Sequence, residues 1–112
     1  MSSSEYVSIR DEVLSLLSSH YPEMCERFGI ESVALFGSVS RGEDAAESDV
    51  DVLYTFQEGK ATYRNLSGLA LYLEKLLGRK TDLVSRKWID EGLLSVIRDD
   101  IIPCSPAALG VA

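Results

Sequence analysis

Asp49-Val50-Asp51 sets two carboxylates at alternate positions of an apolar run that continues to Phe56. Successive side chains of a strand point to opposite faces, so both acids project from one face, about 7 Å apart. Carboxylates that close repel each other, and a cation relieves the repulsion. Mg²⁺ takes oxygen ligands and commonly combines one or two carboxylates with substrate phosphates. A pair of metal ions can stabilise both the attacking and the leaving oxygen of a phosphoryl transfer. Upstream, Gly37-Ser38 follows the apolar run Val33-Ala34-Leu35-Phe36. A glycine directly after a strand lets backbone approach a ligand without a Cβ in the way. Backbone N–H groups at the start of a following helix favour phosphate oxygens, and Ser38 adds a hydroxyl donor.

Two further residues fit the same chemistry. Arg41 lies three residues after Ser38. Its guanidinium could grip triphosphate oxygens in a bidentate way, or it could pair with Glu43, Asp44 or Glu47 at the surface. Asp82 stands in the short apolar run Thr81 to Ser85. Acids are depleted from strand interiors, although an edge strand tolerates one. If that strand neighbours the one carrying Asp49 and Asp51, Asp82 completes a cluster of three carboxylates. It could then bind metal and orient or deprotonate an attacking hydroxyl. Each part alone has an ordinary reading: a solvated sheet face, a serine-capped turn, a surface ion pair.

The elements that must position these residues can be read from periodicity. Residues from about 5 to 19 carry a wide apolar stripe through Val7, Val13, Leu14, Leu16 and Leu17, as a helix does. A break is expected near His20, with Pro22 opening a second helical stretch to Phe28 and Gly29 ending it. Ile30 to Phe36 reads as the first strand and Asp49 to Phe56 as the second, with Val50, Val52 and Tyr54 on the face opposite the acids. The small polar residues from Gly37 to Ser48 read as a loop with a short helix. Residues from about 61 to 77 follow the helical period through Leu66, Leu69, Ala70, Leu73, Leu76 and Leu77. Thr81 to Ser85 is a third strand. A helix over about 87 to 100 uses Ile89, Leu93, Val96 and Ile97, and a short strand near Ile101 to Cys104 closes the pattern. Residues 105–112 are expected to form a loose tail. This order predicts an α/β or α+β fold with one small mixed sheet flanked by helices, a single domain over residues 1–112.

Composition narrows the partners. The chain has 112 residues, 46% hydrophobic and 26% charged, an ordinary globular balance. The formal net charge is −7, from 18 acidic and 11 basic residues. Direct binding to long DNA or RNA needs a basic footprint, and no basic run is present. The acidity fits a metal-binding cleft, a basic protein partner or plain solubility equally well. Cys25 and Cys104 form no CxxC and read as two buried thiols. No apolar stretch nears the ~20 residues that span a membrane, and the expected compartment is the cytoplasm. His20, Trp88, the tyrosines, Arg79-Lys80 and the loop acids Glu43, Asp44 and Glu47 carry only structural expectations.

Taken together, Gly37-Ser38, the ten residues 39–48, Asp49-Val50-Asp51 and the later strand residue Asp82 resemble the signature of the DNA polymerase β superfamily of nucleotidyltransferases. The chain is identified as similar to its smallest members, the minimal nucleotidyltransferases. The text around the motif, Leu35-Phe36-Gly37-Ser38 with Arg41-Gly42 and Ser48-Asp49-Val50-Asp51, supports this, and the match covers about residues 30 to 85. The resemblance implies that Gly37 and Ser38 hold a triphosphate, that Asp49 and Asp51 bind Mg²⁺, and that Asp82 is the third carboxylate of the site. It implies ATP as the nucleotide and two metal ions. Proteins of this kind act as antitoxins of HEPN ribonuclease toxins, and the family activity is AMP transfer to a tyrosine of that toxin. The leading expectation is therefore a protein adenylyltransferase antitoxin that forms a hetero-oligomer with its toxin. A small-molecule nucleotidyltransferase of the aminoglycoside-modifying type is the second reading, and an antitoxin acting by binding alone the third. A template-dependent polymerase ranks last, given the size and charge.

Overall fold

The computed structural model describes residues 5–104. Helices α1 (Arg10–Ser19) and α2 (Tyr21–Phe28) lead into strand β1 (Ile30–Phe36). A five-residue helix α3 (Gly37–Arg41) and a loop separate it from β2 (Val50–Phe56). Helix α4 (Tyr63–Leu77) crosses over to β3 (Thr81–Ser85), and α5 (Glu91–Ile97), a 3₁₀ turn (Arg98–Asp100) and β4 (Ile102–Pro103) follow. The strands form one sheet in the order β3-β2-β1-β4, with β2 and β3 parallel and the other two pairs antiparallel. This is the mixed α/β architecture that the sequence predicts.

Alternation along the strands divides the core in two. Val33 and Leu35 of β1 and Val50, Val52 and Tyr54 of β2 face Val13 and Leu17 of α1, Met24 and Phe28 of α2, and Leu69 and Leu73 of α4. Ala34, Phe36 and Leu53 point to the other face, where Leu94 and Ile97 of α5 cover them. Asp51 lies between Val50 and Val52 and so belongs to the α5 face. The acids thus stand on the thinly covered side of the sheet, while the thick helical layer fixes the strands from behind. Thr62 caps α4 by accepting the Asn65 backbone N–H at 3.1 Å, and Gly78 ends it.

Several expectations need correction. Residues 5–9 are not helical: Val7 is 78% exposed, and the segment instead folds onto Asp44. The last helix begins only at Glu91, where Asp90 caps it, and it buries Leu94 and Ile97. Leu93 and Val96, expected in its core stripe, face outward. A two-turn helix buries one i, i+3 pair, and the cap at Asp90 chooses which. Trp88 and Tyr63 are also exposed and line a shallow groove with Phe56, Leu66 and Lys87. Both cysteines are free thiols, Cys104 buried and Cys25 half-buried. Burial pushes the Cys104 thiol up to about 11, which leaves it unreactive. The predicted tail at residues 105–112 lies outside the described residues. Among the described residues, no helix is long and apolar enough to cross a membrane.

Candidate active site

The parallel pairing of β2 with β3 sets Asp51 opposite Asp82, between the pairs Val50–Thr81 and Val52–Leu83. Residues paired in register share a face, so the two carboxylates stand side by side on neighbouring strands. On the other flank of β2, Phe36 at the end of β1 pairs with Asp51, and the chain turns there into α3. Gly37 makes that turn with φ +82°, a conformation side chains rarely adopt. A Cβ at Gly37 would lie 2.1 Å from Asp51 Oδ2. The glycine is therefore required twice, by the backbone angle and by the carboxylate packed against it. Asp49 stands just before β2 begins, close enough for its charge to act on Asp51.

The electrostatics of Asp51 are those of an uncompensated cluster. Burial, and then the carboxylates of Asp82 and Asp49, hold its carboxyl above its ordinary value of 3.8, while the Arg41 guanidinium works against the rise. A hard, oxygen-seeking cation would relieve this repulsion, and three carboxylates with a glycine cradle are a donor set that suits Mg²⁺. Among the described residues, no group of three His, Cys, Asp or Glu side chains stands close enough to hold a metal ion by itself.

Ser38 lies in α3, and its carbonyl accepts the Glu43 N–H at 2.9 Å, folding the loop back on the helix. Arg41 is drawn to carboxylates rather than standing free. Its Nε donates to Glu43 at 2.9 Å and its Nη1 to Asp100 at 2.6 Å. Of the three surface partners expected from the sequence, Glu43 pairs with it and Asp44 and Glu47 do not. Asp100, from the 3₁₀ turn, replaces them. Ser40, buried beside Arg41, donates to the Asp100 carbonyl, so α3 and the turn after α5 are tied at two points.

Asp44 is the residue that sequence reasoning most misjudged. Expected as a loop acid, it is 8% exposed. It accepts from Tyr6 Oη at 2.6 Å, from the Ser8 hydroxyl and from the Ile9 backbone N–H at 3.2 Å. Burial pushes its carboxyl up, but these hydrogen bonds outweigh burial and hold it below the usual carboxylate value. Its partners lie more than 30 residues away in sequence, and no local pattern marks them.

Comparison with known proteins identifies the family. The family model for the nucleotidyltransferase domain matches residues 17–107. The protein adenylyltransferase MntA of Thermococcus cleftensis is 36% identical over 92 residues, covering 82% of this chain and 92% of that one. A solved structure of a proposed minimal nucleotidyltransferase superposes with a TM-score of 0.62 at 39% identity, covering 84% of this chain and 87% of that one. The fold is also that of a chain in the complex of tri-AMPylated Shewanella oneidensis HEPN toxin with its MNT antitoxin. There the TM-score is 0.52 at 19% identity, over 85% of this chain and 67% of that one. The chain belongs to the nucleotidyltransferase domain family and is an enzyme of its minimal branch.

Proposed function

We propose that this enzyme is a Mg²⁺-dependent protein adenylyltransferase that acts as an antitoxin, moving AMP from ATP onto a tyrosine hydroxyl of a partner HEPN ribonuclease toxin. The observation that carries the reading is the register pair Asp51–Asp82, with Asp51 packed against Gly37. The relatives support the acceptor class: one is named a protein adenylyltransferase, and another shares its complex with an AMPylated toxin.

In this reading Gly37 and Ser38 hold the triphosphate against α3, and Asp49, Asp51 and Asp82 hold Mg²⁺. Bound Mg²⁺ supplies neutralising charge for the phosphate oxygens. The tyrosine oxygen attacks the α-phosphorus, a new P–O bond forms, and the bond to the leaving pyrophosphate breaks. Asp82, exposed on its strand, faces the acceptor and takes the hydroxyl proton. Arg41 exchanges its Asp100 contact for a phosphate oxygen when ATP enters. The acceptor surface comes largely from the toxin, since the described residues are almost wholly spent on the sheet and its helices.

Intact mass spectrometry of the toxin after co-expression tests the reading. The expected result is a gain of whole AMP units that requires ATP and Mg²⁺ and disappears in an Asp49→Ala/Asp51→Ala double variant. An unmodified toxin, neutralised equally well by that double variant, would reduce the role to binding alone. Labelling of aminoglycosides in place of the toxin would move the enzyme to the small-molecule branch.

A further inference from the structure

Asp49 has no ladder of its own, because β2 begins one residue later. Something else must fix its backbone. The chain on its far side is held by a ladder bond, the Val50 N–H donating to the Lys80 carbonyl at 2.9 Å. The chain on its near side is held by Arg79. Arg79 Nη1 donates to the Ser48 carbonyl at 3.0 Å and to the Ala45 carbonyl at 3.2 Å. The Ser48 carbonyl belongs to the peptide that enters Asp49. The same two residues close the turn between them, with the Ser48 N–H on the Ala45 carbonyl at 3.1 Å and the Ala45 N–H on Ser48 Oγ at 2.8 Å.

The guanidinium is itself held. Its Nη2 donates to Tyr6 Oη at 2.7 Å, its carbon lies 5.7 Å from the Tyr6 ring centroid, and Tyr6 donates onward to Asp44. Asp44 lies in the loop that Arg79 grips, so the contacts form a closed ring from Arg79 through Tyr6 and Asp44 back to Ala45. Arg79 and Lys80 thus brace both sides of Asp49, and the chain continues from them through Thr81, the first residue of β3, to Asp82.

We propose that Arg79 is a positioning residue that sets Asp49 in register with the Asp51–Asp82 pair. It acts through geometry, by holding the Ser48 and Ala45 carbonyls on the chain that enters Asp49. Lysine cannot replace it fully: a single ammonium lacks the planar fork that reaches two carbonyls and a hydroxyl at once. The inference rests on the carboxylate site proposed above.

Two variants, Arg79→Ala and Arg79→Lys, test it by amide hydrogen exchange on the metal-free protein and by kinetics of AMP transfer. In Arg79→Ala the Ser48 and Val50 amides should exchange faster by about tenfold or more, with the β1 and α4 amides unchanged. In transfer assays kcat should fall roughly 10- to 100-fold with the KM for ATP within about threefold of wild type, and more Mg²⁺ should be needed for half-maximal rate. Arg79→Lys should fall between. Wild-type exchange at Ser48 and Val50 in a folded Arg79→Ala protein would overturn the proposal. So would uniform acceleration across the whole sheet in both variants, which would make Arg79 a general support of the fold. If the wild-type protein transfers no AMP, the functional reading fails, while the exchange measurement still decides the role of Arg79.

Discussion

Asp51 pays for its position in the absence of a cation, and that strain can be measured. A carboxyl held above its ordinary 3.8 favours the folded state only while protonated. The Asp51 share of metal-free stability, read as the difference between wild type and Asp51→Asn, should therefore decline as pH rises through the window just above 3.8 and stay lower at neutral pH. Saturating Mg²⁺ should restore it, by about 2.7 kcal/mol at a hundredfold excess over Kd. Asp51→Asn removes the charge without changing the shape. Its Tm at neutral pH without metal should rise by a few degrees, while transfer falls roughly 100- to 1,000-fold. Thermal scans and turnover on one protein sample read both effects, and a fall in Tm would contradict the charge argument. Gly37→Ala, with its Cβ 2.1 Å from Asp51 Oδ2, should lose activity and stability together, at least about 1–3 kcal/mol in urea unfolding. The contrast between these two variants separates charge from space at adjoining residues.

Elements show where reading the sequence succeeds and where it stops. Asp51 and Gly37 stand out in the sequence because strand alternation and a glycine directly after a strand are local features, whereas Asp82 stands out only as an acid in a short apolar run, and the parallel register sets it beside Asp51. The helix over Tyr63–Leu77 was legible because fifteen residues hold enough period to fix a phase. The seven residues Glu91–Ile97 do not, and the choice of Leu94 over Leu93 came from the Asp90 cap and the waiting face of Ala34, Phe36 and Leu53. Residues 5–9 misled because Val7 fits a helical stripe, whereas Asp44 draws the segment away with three hydrogen bonds. Asp44→Ala should cost about 2–3 kcal/mol in urea unfolding, since it strips a buried, charge-assisted network. Because the Asp44 carboxyl is held low, the stability it adds is present above pH 3.8 and fades as pH falls through and below that value. An Asp44→Asn protein should lack that part of the acid sensitivity.

At the scale of the whole molecule, the net charge makes a prediction about encounter. A net charge of −7 attracts a basic partner at long range, and salt screens that attraction over about 8 Å at physiological strength. The association rate with a toxin of opposite charge should therefore drop by roughly tenfold between low and high salt, with the dissociation rate little changed. Stopped-flow mixing at several salt concentrations measures this, and a salt-independent association rate would assign the acids to solubility alone.

The link from β2 to α4 runs through Gln57, Glu58, Gly59, Lys60, Ala61 and Thr62, all exposed. Everything upstream of it carries Gly37, Ser38, Asp49 and Asp51, and everything downstream carries Asp82. A break in this one turn divides the carboxylate set between two polypeptides, neither able to assemble the site by itself. Reunion must rebuild the parallel β2–β3 seam before any reaction can occur. Nicked there and fused to two proteins of interest, the enzyme would serve as a complementation reporter whose signal is a covalent mark.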